Sequence, residues 1–220
     1  TGTRAVSNAE FDSAKLSTVL QAGWDKASGD EYQDVKIFIE PECQSSLATT
    51  LANYRSGMYS FSTFVTGIKV PNGVTSTSSE VIAATNALAT ARATYPNVTG
   101  LAYYCNEFKV KENYSGTEYW TIPLGSVASM LAQIMEKRLG GVAPMFTNEN
   151  QLGGQISKSV KRQKYSFDAG SLDTLDTVGL NPIILDSFYG LMITSQRTAQ
   201  SPMTLTDWSY LGHQMSFDLF

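Results

Sequence analysis

The chain has 220 residues and a formal net charge of −4, with 42% hydrophobic and 16% charged residues, which fits a globular protein. A chain of this length can bury about 70–75% of the surface that its unfolded form exposes, so its core needs no disulfide or metal. The acidic balance and the lack of a basic stripe argue against nucleic acid as a partner. No apolar run reaches the ~20 residues that cross a bilayer, so we expect no membrane insertion.

The two cysteines, Cys43 and Cys105, are far apart and lack the Cys-x-x-Cys spacing of metal and redox sites. They therefore predict neither a metal centre nor a disulfide framework. Cys105 ends an apolar, strand-like run, so we expect it to be a buried free thiol in a reducing compartment.

The first half of the chain alternates helical and extended patterns. In chain order, the predicted elements are a helix over residues 8–22, a strand over 34–40, a helix from Ser45 or Ser46 to Gly57, a strand over 59–65, a helix over 80–94 and a strand over 99–105. Strands that alternate with helices pair in parallel through right-handed crossovers. Residues 1 to about 105 therefore predict a three-layer α/β core.

The pattern of the second half is different. Its predicted elements are a β-hairpin with strands over 108–111 and 118–122, a helix over 125–139, a strand over 164–167, a short helix capped by Ser171, strands over 183–185 and 191–194, and a final helix that opens at Trp208. The segment 142–155 is irregular and rich in Asn, Gln and Gly, so we place a boundary near residue 150. The predicted domains are a core, 1–150, and a smaller C-terminal subdomain, 151–220.

The sequence carries no legible catalytic or metal-binding pattern. His213 is the only histidine, and no carboxylate stands beside it in a Ser-His-Asp or Cys-His arrangement. The acidic residues Asp25, Asp30, Glu31 and Asp34 lack the ordered spacing of a calcium loop. Phosphate-loop and nucleophile-elbow motifs are missing from the sequence as well. We therefore predict no catalytic, cofactor-binding or metal-ligating residue, and no cofactor.

A local basic cluster stands out in this acidic chain, formed by Lys158, Lys161, Arg162 and Lys164. Two interpretations of the cluster remain open. It is either the solvated edge of a strand or loop, or a surface that complements an acidic patch on a neighbouring subunit.

The most informative stretch is 180–220. A predicted helix end is followed by Asn181-Pro182, an apolar strand, Gly190, a second strand that ends in Arg197-Thr198, and the helix opened by Trp208. In this order the pieces resemble the C-terminal part of contractile tail sheath proteins.

Five residues match the strongest C-terminal motif of that family: Asn181, Pro182, Gly190, Arg197 and Thr198. We expect them to maintain the fold more than to make contacts between subunits. Proline would fix a turn and Gly190 a tight bend, while Arg197 would pair with an acidic residue within or between subunits.

The resemblance extends over nearly the whole chain as an ordered series of weak blocks. The other blocks are 34–41, 58–70, 95–134 and 140–154. Two positions depart from the family pattern. Gly67 to Pro71 stands where the family has Asp-x-Pro, and Ile122 to Ser126 stands where it has Pro-Pro-Ser-Gly. These departures indicate a distant branch, and leave open whether the sheath belongs to a phage tail, a phage-like extracellular injection device or a secretion system.

The resemblance implies both a fold and a function. The implied fold class is an α/β core of subtilisin-like topology with a mixed, largely parallel sheet, followed by a smaller α+β C-terminal sheath subdomain. The implied function is structural, not enzymatic: a subunit polymerises helically around an inner tube and contracts to drive that tube through a cell envelope. The implied partners are other sheath subunits, the inner tail tube protein, and the baseplate and tail terminator proteins. The implied location is a virion tail that serves genome ejection and is assembled in the cytoplasm of a bacterial host.

Two other classes of protein remain open from the residues alone. One is an enzyme with an α/β hydrolase-like domain whose site no motif reveals, and the other is a non-contractile virion, baseplate or capsid component. The chain opens without Met and stops at Phe220 inside a helical pattern. We therefore expect a piece of a longer protein, with its linking arms outside these residues, that stays soluble and does not polymerise alone.

Overall fold

The computed structural model describes residues 18–19, 22–23, 25–26, 35–40, 45–56, 62–71, 78–112, 114–137, 155–156 and 160–200. Residues 18–19, 22–23 and 25–26 are helical. The helices after them are α1 (Ser45–Ser56), α2 (Ser78–Arg92), α3 (Leu124–Lys137) and α4 (Ala169–Thr177). The strands are β1 (Ile37–Ile39), β2 (Thr63–Ile68), β3 (Leu101–Cys105), β4 (Phe108–Lys111), β5 (Glu118–Thr121), β6 (Gln155–Ile156), β7 (Arg162–Gln163), β8 (Leu180–Asp186) and β9 (Gly190–Ile193).

Six strands form one mixed sheet in the order β1-β2-β3-β8-β9-β6. Strands β1, β2, β3 and β8 run parallel, while β9 pairs antiparallel with both β8 and β6. Helices α1 and α2 connect the first three strands, because parallel neighbours cannot be joined by a tight turn. The predicted α/β class with a mixed, largely parallel sheet is confirmed. Strands from both sides of residue 150 belong to this one sheet.

Alternate residues of the central strands divide the core between the two faces of the sheet. Phe64, Leu101 and Tyr103 lie in the cluster covered by α1, α2 and α4. Val65 and Tyr104 lie in the cluster covered by α3. The described part of the chain thus has three layers, as predicted. The prediction used residues 1 to about 105, however, whereas the helix that covers the second face is α3, which comes later in the chain.

A second, antiparallel sheet with the order β5-β4-β7 continues from the end of β3. Its hairpin agrees with the predicted one to within a residue. Gly116 in the connecting turn has a φ of +70°, a conformation that glycine adopts without the steric cost that other residues have. Phe108 and Val110 on β4 are buried, whereas Lys109 and Lys111 alternate with them on the outer face.

Four predicted elements differ from the structure. Strand β8 covers Leu180–Asp186 and so begins three residues before the predicted strand 183–185. Strand β2 covers Thr63–Ile68, later than the predicted strand 59–65. The N-cap of α4 is Asp168 and not Ser171, because the Asp168 carboxylate accepts the backbone N–H of Ser171 at 2.8 Å. Strand β7 ends before the predicted strand 164–167 begins.

Other predictions concern residues that the structure does not describe. Most of the predicted helix 8–22, the boundary near residue 150 and the final helix with Trp208 and His213 lie outside the described residues. Over the ranges that are described, no helix combines the length and the apolarity needed to cross a membrane.

Candidate functional site at the Asn181 junction

The side chain of Asn181 joins the main sheet to the segment that follows β9. It is fully buried, and its Nδ2 donates to the Tyr103 carbonyl on β3 at 3.0 Å and to the Arg197 carbonyl at 2.9 Å. Its Oδ1 accepts the Arg197 N–H at 2.6 Å. The amide therefore pairs with both backbone groups of Arg197, as a neighbouring strand would. Both of its N–H groups and its oxygen have partners, which is what burial of an amide requires.

Pro182 marks the place where the pairing of β8 with β9 ends. It lies within β8, opposite Cys105 on β3, and not in a turn as predicted. Proline has no N–H to donate, so it is rare inside central strands. The β8–β9 register ends at the pair Ile183 and Ile193, and beyond it the Pro182 carbonyl accepts the N–H and the hydroxyl of Thr194, each at 3.1 Å. After β9 the chain passes the side chain of Asn181, which bonds to the backbone of Arg197.

The segment 194–200 is fastened to the sheet a second time, at the start of β3. The N–H of Ala199 donates to the Leu101 carbonyl at 2.7 Å, and the Ala199 carbonyl accepts from Nη2 of Arg92 at 3.2 Å. The Arg92 guanidinium also lies over the Tyr103 ring, 4.6 Å from its centroid. Burial lowers the pKa of Arg92 and raises the pKa of Tyr103, although the positive charge of Arg92 opposes the second shift.

Arg197 forms a forked ion pair with Asp176 of α4. Its Nε lies 3.1 Å and 3.0 Å from the two carboxylate oxygens, and its Nη2 lies 2.7 Å from Oδ2. The Ser195 hydroxyl donates to the same carboxylate. A planar guanidinium fits this geometry, whereas lysine offers a single point charge. The structure thus provides an acidic partner for Arg197 within the chain itself, and the pair ties α4 to the segment after β9.

The residues of the predicted motif do not all lie together. The junction holds Asn181, Pro182, Arg197 and the buried Thr198. Gly190 lies at the other end of the β8–β9 hairpin, where its φ of +76° ends the turn over residues 187–189. No atom lies within 4 Å of the position that a Cβ would take, so the backbone conformation alone favours glycine there.

A second buried amide, Asn106, repeats the arrangement of Asn181, and the sequence patterns did not single it out. Its Nδ2 donates to the carbonyls of Tyr165 at 3.0 Å and Ile183 at 2.9 Å, and its Oδ1 accepts the Tyr165 N–H at 3.3 Å. Asn106 thereby joins β8 to the chain that leads from β7 to α4. Its φ is +83°, a region that Asn enters more readily than most side chains. The feature of the sequence that could have pointed to Asn106 is its position directly after an apolar, strand-like run.

The junction offers hydrogen bonds and an ion pair, and no reactive group. Cys105, opposite Pro182, is a buried free thiol as predicted, and burial raises its pKa, which makes it a poor nucleophile. Among the described residues, no three His, Cys, Asp or Glu side chains lie close enough to hold a metal ion. The arrangement is suited to holding chain segments in place.

Solved structures with a similar fold come from contractile injection systems. One is the PVC sheath complex of an extracellular contractile injection system in its contracted state, with a TM-score of 0.59, 16% identity, and coverage of 84% of this chain and 45% of that chain. Another is the helical sheath of the anti-feeding prophage in its contracted state, with a TM-score of 0.57, 16% identity, and coverage of 86% and 45%. A third is the six-fold symmetrised baseplate of the anti-feeding prophage, with a TM-score of 0.53, 15% identity, and coverage of 86% and 44%.

No protein-family model matches the chain, and no curated protein matches it by sequence. At 15–16% identity the likeness to the solved structures concerns the fold, and the chain spans less than half the length of those proteins. The resemblance noted in the sequence is confirmed at that level. The chain has the α/β fold found in contractile injection system sheath structures.

Proposed function

We propose that this chain is part of a structural subunit of a contractile sheath, which polymerises helically around an inner tube and contracts to drive the tube through a cell envelope. The observation that carries the proposal is the shared fold, which extends over 84–86% of the chain in two structures named as contracted sheaths. When two different surfaces of a subunit meet head to tail, the contact can repeat as an open helix, so a sheath needs no symmetry within the subunit.

The Asn181 junction has a role in this function, which is to keep the subunit rigid. A sheath that shortens moves its subunits against one another, and packed cores transmit such motion because they deform little. Asn181, the Arg197–Asp176 pair and Arg92 hold the segment 194–200 to β3, β8, α2 and α4. Tension on the chain after residue 200 would thus be carried by the main sheet.

Several finer features belong to the same proposal. The core, 1–150, has subtilisin-like topology, and 151–220 is the C-terminal sheath subdomain whose strands complete the main sheet. The partners are other sheath subunits, the inner tube protein, and the baseplate and tail terminator proteins. The assembly is a virion tail or a related injection device built in a bacterial cytoplasm, and the chain makes and breaks no covalent bonds.

Electron microscopy of the full-length protein, expressed alone, tests the proposal. Hollow, transversely striated tubes are expected, and helical reconstruction should place the α/β core of each copy on a repeating lattice. Two helical forms, one long and narrow and one short and wide, are expected for a sheath that contracts. A protein that stays monomeric at high concentration, or that forms closed shells, contradicts the sheath role. A single helical form under all conditions contradicts contraction alone.

A baseplate component is the second candidate, because one of the matched structures is a baseplate. The same micrographs distinguish the two candidates. A baseplate subunit is expected to form discrete rings or plates, or to require other proteins for assembly, whereas a sheath subunit is expected to form tubes whose length increases with protein concentration.

A further inference from the structure

The outer face of the small sheet β5-β4-β7 carries cations around an aromatic side chain. Lys109 on β4 lies opposite Trp120 on β5 and opposite Arg162 on β7, so the three side chains stand in a row on one face. The Arg162 guanidinium lies over the Trp120 ring, 5.2 Å from its centroid. The alternate residues Phe108 and Val110 are buried, so this row lies on the solvent side of the sheet.

The carboxylates of this sheet neutralise only part of its positive charge. Glu118 lies 2.7 Å from the Lys109 ammonium and also pairs with Lys161, and these hydrogen bonds lower the pKa of Glu118 to about 2. Over the described ranges, no carboxylate lies in ion-pair range of Arg162 or Lys111. Both of these cations belong to exposed residues and remain available to an outside partner.

The chain that follows β7 has the opposite charge. Residues 107–121 and 160–164 together hold five Lys or Arg against three Glu, whereas residues 165–196 hold four Asp and no Lys or Arg. Asp176 is paired with Arg197, but Asp168 and Asp173 are exposed. One subunit therefore presents a cationic sheet face and an anionic helix.

We propose that the cationic face of β5-β4-β7 binds the acidic surface of α4 on a second copy of this chain. The inference rests on the proposed function, which brings many copies together. Complementary charge steers association and fixes register between subunits. Because the two surfaces differ, the contact is head to tail, and a contact of this kind can repeat without closing, as a helical polymer requires.

The composition of the sheet face favours a protein partner over nucleic acid. Trp and Arg are the side chains that most often dominate the binding energy of protein interfaces, and Trp120 with Arg162 is such a pair. The turn of the same hairpin also exposes Tyr114, with 99% of its surface accessible. Glu118 on the same face of the sheet would repel a phosphate backbone, whereas an acidic helix can avoid it.

Charge reversal in the full-length protein tests the contact. The first variant reverses the sheet face by Lys111→Glu and Arg162→Glu, and the second reverses the helix by Asp173→Lys and Thr174→Lys. Each variant alone brings like charges together, so sedimentable polymer is expected to fall at least about tenfold, in line with a repulsion of more than ~1.4 kcal/mol. An equimolar mixture should recover polymer, since each reversed surface then meets an opposite charge on the other variant.

Two controls separate this contact from general charge effects and from misfolding. The variant Lys26→Glu, Lys69→Glu makes the same change in net charge as the sheet-face variant, at exposed lysines outside both surfaces, and should assemble as the unchanged protein does. Circular dichroism and the midpoint of thermal unfolding should be alike for all variants. If a reversed variant does not fold, the milder Arg162→Gln should still lower the salt concentration at which polymer dissolves.

The outcomes separate this inference from the proposed function. Loss of polymer in each variant with recovery in the mixture supports the contact. Polymer that forms normally in both variants, or variants that fail without recovery on mixing, overturns the contact and leaves the sheath proposal intact. Binding of an oligonucleotide that depends on Arg162 overturns it in favour of nucleic acid. A failure of the unchanged protein to form tubes overturns both.

Discussion

Two buried amides, Asn106 and Asn181, perform the same task at different places in the molecule. Each donates both Nδ2 hydrogens to carbonyls on two different segments, and each accepts a backbone N–H through Oδ1. Asn106 holds the strand β8 to the chain that leaves the small sheet at Tyr165, whereas Asn181 holds β3 to the segment that follows β9 at Arg197. In both cases a side chain replaces the missing neighbour of a backbone that would otherwise be buried without partners.

The difference between the two amides lies in the backbone that presents them. Asn181 lies within β8 in an ordinary extended conformation, so the stability lost when it is substituted depends on its hydrogen bonds alone. Asn106 has a φ of +83°, so its identity also reduces strain in the backbone. The comparison predicts that substitutions at Asn106 should be more costly, and that part of this cost can be recovered by glycine.

The largest effect is expected for Asn106→Ala. It leaves the Tyr165 and Ile183 backbone groups without their side-chain partner and places alanine at a positive φ, so the free energy of unfolding should fall by about 4 kcal/mol. Asn106→Gly lacks the same hydrogen bonds but relieves the backbone, and should recover about 1 kcal/mol of that loss. Urea unfolding of both variants measures the difference. If the alanine and glycine variants were equally stable, the positive φ at residue 106 would make no contribution to the free energy of unfolding.

The next effect is expected for Asn181→Ala, with a loss of about 3 kcal/mol in the free energy of unfolding. Its three hydrogen bonds disappear, and the buried backbone groups of Tyr103 and Arg197 lose that partner. Hydrogen exchange should show the amide of Arg197 becoming accessible, while the amide of Tyr165 at the other junction stays protected. If both amides lose protection together, the two junctions do not act as separate units.

Smaller effects are expected at two neighbouring tyrosines of β3, only one of which has a hydrogen-bond partner for its hydroxyl. The Tyr103 hydroxyl donates to the Pro96 carbonyl at 2.8 Å, whereas the Tyr104 hydroxyl is buried without a hydrogen-bond partner among the described residues. Tyr103→Phe should therefore lower the free energy of unfolding by about 1 kcal/mol, and Tyr104→Phe should leave it equal or raise it. Thermal unfolding of the two variants in parallel tests this, and a larger loss for Tyr104→Phe contradicts it.

The smallest effect is expected at the surface of the small sheet, where Glu118 pairs with Lys109 and Lys161. Its pKa falls from an ordinary 4.5 to about 2, chiefly through the hydrogen bonds from these lysines. A lowered folded-state pKa means that the stabilisation is complete above pH ~4.5 and disappears as the pH falls toward ~2. The thermal midpoint of the unchanged protein should thus fall slightly more than that of Glu118→Gln over this range. A steeper fall in the variant contradicts the sign.

The sequence was most informative where the signal is local. The hairpin around Gly116 and helices α1 to α3 agree with their predicted positions within about two residues. Strand β2 was placed too early, because Tyr59 to Val65 and Thr63 to Ile68 share the same apolar and β-branched character. The sequence predicts a turn at Pro182, because proline fixes φ. The structure instead places Pro182 within β8, where the early end of the β8–β9 pairing leaves no ladder hydrogen bond for it to donate.

The sequence alone determined the alternation of strands and helices, the turn glycines and a C-terminal motif that includes Asn181 and Arg197, because these depend on neighbouring residues. Only the tertiary structure decided that Asn181 binds carbonyls 78 and 16 residues away, that Asp176 is the partner of Arg197, and that α3 covers the second face of the sheet. Those partners are set by the order of strands in the sheet. No local pattern of residues encodes that order, because burial of the whole core selects it.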